Sequence, residues 1–369
     1  MSKAAELANL IGNINAGGGG VNRNLIINGA MAIDQRNSGS SFAQTNGSYN
    51  LDRFRGNSYD GGAATGKFTV QQSSTTPDNF AHSLLVTSSA ATSDAANNIF
   101  NIEQLIEGHN TALLQFGTSS AKTITLSFYV RSSLTGTFGG ALKNSARNRN
   151  YPFTYTISSA NTWEEKSITI SGDTSGTWIG ATNETGLWVS FGLGVGSNYS
   201  GSAGAWGAGD YFSATGATSV VGTNGATWLI TGVQLEVGQN PTEFEHEPIE
   251  RTLKKCERYF TRINAKGSVA SYNCFPFSGF CRSSTLAQFP IHWNQPMRSV
   301  PTMSYAGAST FGVLNSSGST IAVSNISTSR TTEIASVADW TSSGLSAGNG
   351  TRLVANNTAD AFIDAEAEL

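Results

Sequence analysis

Hydrophobic and polar residues alternate with a period of two over much of the chain between residues 22 and 247. Such alternation is typical of β-strands that bury one face, and clusters of Gly, Ser, Asn and Asp divide it into short segments. The clearest sets of residues on one face are Ile124, Leu126, Phe128 and Val130 in TITLSFYV and Leu187, Val189, Phe191, Leu193 and Val195 in LWVSFGLGV. The pattern predicts a β-sandwich or jelly roll.

The run WLITGVQLEV predicts the last strand of this domain. Unbroken alternation places Leu229, Val233, Leu235 and Val237 on one face, with Gln234 and Glu236 on the other.

The first residues, SKAAELANLIGNI, follow a helical period instead. Leu7, Leu10, Ile11 and Ile14 fall on one face of the predicted helix, and a run of glycines follows at 17–20. A helix this short is marginal by itself and gains stability by docking on a partner or on copies of itself. These four residues are therefore predicted to attach the chain to a larger assembly, with a disordered terminus as the alternative.

The period changes again after Glu247, where Leu253, Cys256, Phe260 and Ile263 are three or four residues apart. This spacing predicts a short amphipathic helix, after which alternating segments resume. The predicted organisation is an N-terminal helix and hinge at 1–21, a jelly roll at 22–247, a connecting helix at 248–264 and a smaller β-sandwich at 265–369. The predicted fold class is all-β.

Composition excludes several classes of function. Charged residues make up 13% of the chain, and the formal net charge of −3 leaves no basic surface for nucleic acid. No run of about 18 apolar residues is present, and the start of the chain lacks the pattern of a secretory signal. We expect a soluble chain that folds in the cytoplasm, with no nucleic-acid partner and no membrane insertion.

Catalytic and metal-binding patterns are weak. The histidines lack the spacing of a metal-binding pair. The cysteines, Cys256, Cys274 and Cys281, are odd in number and form no CxxC pair, so buried thiols are expected. Glu103 and Glu107 share a strand face, but a solvated rim explains them better than a glycosidase pair. No catalytic residue, metal ligand or cofactor is predicted.

Several phrases carry a resemblance to a known family. NLIINGAMAIDQR, SYNLDRF, IEQLIEGHNTALLQFGTSSAKTITLSFYVRSS and NTWEEKSITISGDTSGTW, followed by WLITGVQLEVG and PTEFEHEPIERTLKKCERYF, resemble tailed-bacteriophage tail-fibre proteins with a carbohydrate-binding-type jelly roll. The similarity covers most of residues 22–305. It implies an elongated homotrimeric fibre subunit that is attached to the virion by its N-terminus. Thr231 and Gly232 stand where sugar-binding jelly rolls often carry acidic residues, which puts a structural calcium in doubt.

Sugar recognition needs aromatic faces together with side chains that form hydrogen bonds to hydroxyl groups. Aromatic residues in Gly- and Ser-rich segments have no alternation that ties them to the core, and these are the predicted contacts with carbohydrate or receptor: Trp178, Tyr199, Trp206, Tyr211 and Trp340. Stapling of loops or filling of a trimer seam is the alternative. Trp163, Trp188 and Trp228 lie in periodic segments and are assigned to packing.

The predicted function is that of a non-enzymatic structural virion protein, a tail-fibre subunit that binds a host-surface glycan or protein. Its predicted partners are copies of itself, a tail or adaptor protein at the N-terminus and the host receptor. Two alternatives are kept: a tailspike depolymerase and an architectural capsid or tail fibre without a receptor.

Overall fold

The structure is a computed structural model that describes residues 2–15, 22–61, 66–265, 272–315 and 317–369. The chain divides into two compact units, residues 1–253 together with Leu369, and residues 254–368. Most regular structure in the described residues is strand, which confirms the predicted all-β class. No helix in the described ranges is long and apolar enough to cross a membrane.

The first unit begins with helix α1 (Lys3–Asn15), and its second helix, α2 (Gly108–Thr111), continues into a 3-10 turn (Ala112–Leu114). Its strands in chain order are β1 (Phe42–Ala43), β2 (Ser48–Tyr49), β3 (Arg55–Asp60), β4 (Phe68–Ser73), β5 (Ser83–Ser88), β6 (Asn98–Glu107), β7 (Ile124–Ser132), β8 (Gly136–Lys143), β9 (Arg149–Ile157), β10 (Glu164–Ile170), β11 (Thr185–Val195), β12 (Ser200–Gly201), β13 (Gly207–Ala208), β14 (Ser213–Ala214) and β15 (Thr227–Val237).

Two antiparallel sheets form the jelly-roll sandwich of this unit. Sheet A has the strand order β1-β4-β5-β15-β7-β10, and sheet B has the order β13-β9-β8-β11-β6-β3-β2. Phe128 of sheet A packs edge-on against Phe191 of sheet B, with ring centres 5.1 Å apart. Both residues are about 1% exposed and belong to one buried cluster. Full burial of each such ring stabilises the fold by roughly 1.5–3 kcal/mol, so the predicted alternation selects the core.

A β-bulge in β15 changes which residues face that core. The register with β7 shifts between Thr231 and Gln234, and Gly232 there has φ of +61°. Trp228 and Ile230 lie in the core before the bulge, and Val233 does so after it. The predicted grouping of Leu229 with Val233 is therefore wrong, because the inserted residue reverses the alternation.

The second unit continues from α3 (Ile249–Glu257), a helix that contains the boundary between the units. Its strands are β16 (Phe260–Asn264), β17 (Cys274–Cys281), β18 (Leu286–His292), β19 (Thr302–Tyr305), β20 (Phe311–Leu314), β21 (Thr320–Ala322), β22 (Asn325–Thr331), β23 (Ala335–Thr341), β24 (Gly350–Ala355) and β25 (Phe362–Glu366), with a 3-10 turn at Ala308–Thr310. Sheet C has the order β16-β25-β19, and sheet D has the order β21-β20-β24-β17-β18-β23-β22. Both sheets contribute to one buried cluster.

The connecting helix is shorter than predicted. Phe260 and Ile263 fit a helical period, but strand β16 starts at Phe260 and pairs with β25. Five consecutive residue pairs give this segment backbone hydrogen bonds that a longer helix would forgo. Cys256 and Cys281 are buried as expected, whereas Cys274 is exposed.

Candidate functional site

The outer face of sheet B, which points away from the core, carries a row of polar and charged side chains. The register places Arg55 of β3 opposite Glu103 of β6, and Glu103 opposite Ser190 of β11. It also places Trp188 of β11 opposite Lys143 of β8. Since side chains alternate across a sheet, residues from four strands meet on this face.

A cavity of about 190 Å³ opens on this face, and we call it the sheet B groove. Five of its lining residues lie in strands, and four lie in connecting segments. The lining residues are Asn46, Arg55, Asn57, Tyr59, Ile99, Arg147, Trp188, Tyr199 and Phe212.

A buried hydrogen-bond network supports the base of the groove. Glu103 is fully buried and accepts hydrogen bonds from Arg55 Nε at 2.8 Å and from Asn57 Nδ2 at 3.0 Å. Asn101 Nδ2 donates to Glu103 at 3.0 Å and to Ser190 Oγ at 2.8 Å. A carboxylate bonded in this way holds the Arg55 guanidinium in one position.

Lys143 is a fully buried lysine next to the groove. Its Nζ lies 3.2 Å from Asp210 Oδ1, 4.8 Å from the centre of the Trp188 ring and 3.1 Å from the centre of the Phe212 ring. Burial lowers the pKa of Lys143 to about 8, although the carboxylates of Glu103 and Asp210 act in the opposite direction. Aromatic faces and a carboxylate thus take the place of water around this ammonium group.

Arg147 lies at the rim of the groove, in the turn between β8 and β9, where its φ is +57°. Asp210 accepts hydrogen bonds from both Nε and Nη2 of Arg147, and the first of these is 3.0 Å long. These bonds raise the pKa of Arg147. The guanidinium carbon lies 5.4 Å from the centre of the Phe212 ring and 5.7 Å from that of Trp188.

The predicted contact residues are dispersed. Tyr199 lines the sheet B groove and packs edge-on against Phe212, with ring centres 6.1 Å apart. Tyr211 is half-buried, and a Cβ added at Gly201 would lie 2.3 Å from its ring. Of the five predicted residues, the structure brings Tyr199 into the groove lining.

Trp178 and Trp206 belong to a separate aromatic cluster. Their rings are 5.3 Å apart, and both pack against Phe116. Trp178 Nε1 donates to Ser175 O at 3.1 Å, and Trp206 Nε1 donates to Ser171 O at 2.6 Å. These rings are half-buried and fasten loops to the sandwich, which is the alternative that the sequence left open.

The prediction that no alternation ties Trp340 to the core is wrong. Trp340 lies in β23, is fully buried and packs against Phe289, Tyr305 and Phe311 in the core of the second unit. In this position it is inaccessible to a receptor. Its alternation with Ala338, which is also buried, ties it to the core-facing side of the strand.

The predicted attachment residues lie in α1, which forms as expected. Leu7 and Ile11 are 57% and 49% exposed, and Leu10 is half-buried. The side chain of Ile14 lies outside the described residues. Attachment to a partner stays a prediction.

Sequence reasoning missed most of the groove. Trp188 lines the groove rather than the core, because it alternates with the core residues Leu187 and Val189 and therefore faces outward. The alternation in this strand is sufficient to identify Trp188 as an outward-facing residue. The solvated-rim interpretation of Glu103 is wrong because Arg55 pairs with it beneath the groove. No local sequence pattern identifies Arg55 as a residue of the groove.

The described residues contain no group of three or more His, Cys, Asp or Glu side chains arranged to hold a metal ion.

No protein-family model matches this chain, and no curated protein matches it. Among solved structures, it is similar to the enzymatically active domain of tailspike protein 4 of bacteriophage CBA120, with 11% identity and a TM-score of 0.32 over 58% of this chain. The match spans about a fifth (21%) of that tailspike chain. A CBM4 structure matches 57% of this chain and 97% of its own, with 16% identity and a TM-score of 0.28. The family 11 carbohydrate-binding module from Clostridium thermocellum, in complex with a β-1,3-1,4-mixed-linked tetrasaccharide, matches 55% and 95%, with 9% identity and a TM-score of 0.27.

Proposed function

We propose that the chain binds carbohydrate in the sheet B groove. The observation that carries this proposal is the lining of the groove, which combines aromatic rings with guanidinium and amide groups. Aromatic rings pack on the apolar faces of sugars, and the polar groups form hydrogen bonds to hydroxyl groups. The cavity of about 190 Å³ is smaller than the roughly 300–1,000 Å³ usual for drug-sized ligands, which suits one sugar unit of a longer chain.

The base of the groove is already ordered before any ligand arrives. The hydrogen bonds of Glu103 fix Arg55 and Asn57, and these side chains therefore lose little conformational entropy on binding. Their placement on strand β3 rather than on a loop also restricts their movement. Both features support a preformed binding surface.

We propose binding rather than hydrolysis at this groove. Glycoside hydrolysis needs one carboxylic acid in an apolar setting as proton donor and a second carboxylate across the sugar. Glu103 is bonded to Arg55, and Asp210 is bonded to Arg147 and Lys143. Each carboxylate therefore already neutralises a cation, which suits a structural role.

A glycan array with the full chain tests the proposal. Tyr199→Ala removes a ring from the lining and is expected to weaken binding to the best glycan about tenfold or more. Tyr272→Ala is the matched control, because Tyr272 is 51% exposed and lies in the second unit. Equal binding by both variants and the unmodified chain would place recognition elsewhere, and release of reducing ends would favour hydrolysis.

We further propose that this binding serves a bacteriophage tail-fibre subunit in the virion. The support is the resemblance of the phrases within residues 22–305. A fibre subunit of this kind is expected to form a homotrimer and to adsorb to host cells. Light scattering of the purified chain and competition with phage for adsorption test the two expectations, and a monomer that fails to compete would contradict both.

A further inference from the structure

The charges around the sheet B groove are unevenly distributed. Arg55 and Arg147 are the charged side chains among its described lining residues. The carboxylates that neutralise them, Glu103 and Asp210, are not part of the lining. With Lys143 included, three cations face two carboxylates, which leaves the region with one uncompensated positive charge. An anionic group in the groove would balance it.

The two terminal amino groups of Arg55 are available as hydrogen-bond donors. Its Nε donates to Glu103, but within the described part of the chain neither terminal amino group has a hydrogen-bond partner. The Arg55 side chain is 17% exposed, whereas its partner Glu103 is fully buried. A guanidinium fixed through Nε and carrying two free amino groups is suited to a carboxylate, which accepts two parallel hydrogen bonds.

Trp188 offers this groove little free ring surface. The guanidinium carbon of Arg55 and the ammonium of Lys143 each lie 4.8 Å from the centre of its ring. The indole therefore orients cations, a cation–π arrangement. Tyr59 and Tyr199 also line the groove, are half-buried and have no cation over the ring in the described ranges. A sugar ring would pack on these tyrosines with its substituent toward the cations.

We propose that the groove selects an acidic saccharide, in which a carboxylate on the sugar binds Arg55 and Arg147. This inference rests on the proposed carbohydrate binding and adds the chemical class of the ligand. Neutral sugars would leave the amino groups of Arg55 with water alone, whereas a carboxylate gains charge-assisted hydrogen bonds.

The test uses the full chain and uronic-acid-containing bacterial polysaccharides, each as isolated and after chemical reduction of its carboxyl groups to primary alcohols. Reduction changes the charge and keeps the sugar backbone. We expect binding to at least one acidic polysaccharide and a loss of roughly tenfold or more after reduction. Raising salt from about 0.1 M to about 1 M, which shortens the Debye length from ~10 Å to ~3 Å, is expected to weaken binding as well.

Arg55→Met removes the guanidinium that is proposed to bind the sugar carboxylate, and Arg131→Met is its control. Arg131 lies in β7 of sheet A and donates from Nε to Asn161 O, so its loss removes a charge distant in the fold from the groove. Arg55→Met is expected to bind native and reduced polysaccharide equally weakly, while Arg131→Met keeps the preference. The salt series gives an independent result if Arg55→Met fails to fold.

The outcomes separate this inference from the proposed function. Binding that Tyr199→Ala weakens, but that survives carboxyl reduction and high salt, overturns the acidic class and leaves carbohydrate binding in place. Absence of any polysaccharide binding overturns both. A preference for sulfated over carboxylated polysaccharides also contradicts the inference, since a sulfate ester lacks the planar carboxylate.

Discussion

Trp188 and Lys143 lie directly opposite each other in the antiparallel pairing of β11 with β8, and Lys143 Nζ is 4.8 Å from the centre of the indole ring. The pair explains how a lysine can be fully buried on the outer face of a sheet. A π face on one side and the Asp210 carboxylate on another replace part of the lost hydration. The same tryptophan also contacts Arg55, which couples the buried lysine to the groove lining.

Lys143 is expected to make stability depend on pH. Burial lowers its pKa from 10.5 to about 8 in the folded chain, so the unfolded chain binds more protons between these values. The group destabilises the fold below about pH 8, and this cost disappears as the pH rises to about 10.5. The unmodified chain should therefore gain up to about 3 kcal/mol relative to Lys143→Met across that window.

Urea unfolding at several pH values measures this difference. The surface variant Lys67→Met is the control, because Lys67 is partly exposed and pairs with Asp60 at 4.0 Å. Parallel stability curves for the unmodified chain and Lys143→Met would show that the lysine does not titrate differently on folding.

Trp206→Ala is expected to reduce stability without changing carbohydrate affinity. The ring packs against Phe116, Tyr151 and Trp178, and its Nε1 bonds to Ser171 O. Loss of this half-buried ring should lower the free energy of unfolding by about 2 kcal/mol. Thermal unfolding and titration with the best glycan measure the two effects, and a large loss of affinity in the folded variant would restore Trp206 as a contact residue.

Gly232→Ala should disrupt the bulge in β15. Its φ of +61° disfavours a side chain, and a Cβ there would lie 2.8 Å from Phe80 and 2.9 Å from Tyr129. Gly216 has φ of +78°, and an added Cβ would meet no atom within 4 Å, so Gly216→Ala controls for backbone strain alone. Both changes cost about 1–2 kcal/mol from strain, and only Gly232→Ala adds overpacking of about 1–3 kcal/mol. Equal denaturant midpoints would contradict the crowding argument.

Trp340→Ala tests the core of the second unit. The ring is fully buried among Phe289, Tyr305 and Phe311, and its removal should cost about 3–5 kcal/mol. Phe280→Ala, at a ring that is 49% exposed in the same sheet, should cost less than about 1 kcal/mol. Calorimetry of both variants decides between a core and a surface position, and similar unfolding temperatures would argue for the latter.

The alternation of residues predicts the all-β class and much of the core from the sequence alone. Phe128 and Phe191 are in the core because side-chain direction in a strand depends on local parity, which can be read from neighbouring residues. The same parity places Trp188 on the outer face. Local patterns fail where one residue changes the parity, as at the Gly232 bulge, or where a strand replaces the end of a predicted helix, as at Phe260.

Only the tertiary structure determines which residues meet in the sheet B groove. Arg55, Glu103 and Trp188 are far apart in the chain and meet because β3, β6 and β11 are neighbours in sheet B. Arg147 and Asp210 come together from a turn and a connecting segment that no periodicity relates. Strand order depends on pairing between distant segments. In strands with unbroken alternation the sequence therefore determined which residues face inward or outward, and the fold determined which outward residues meet as a charged site.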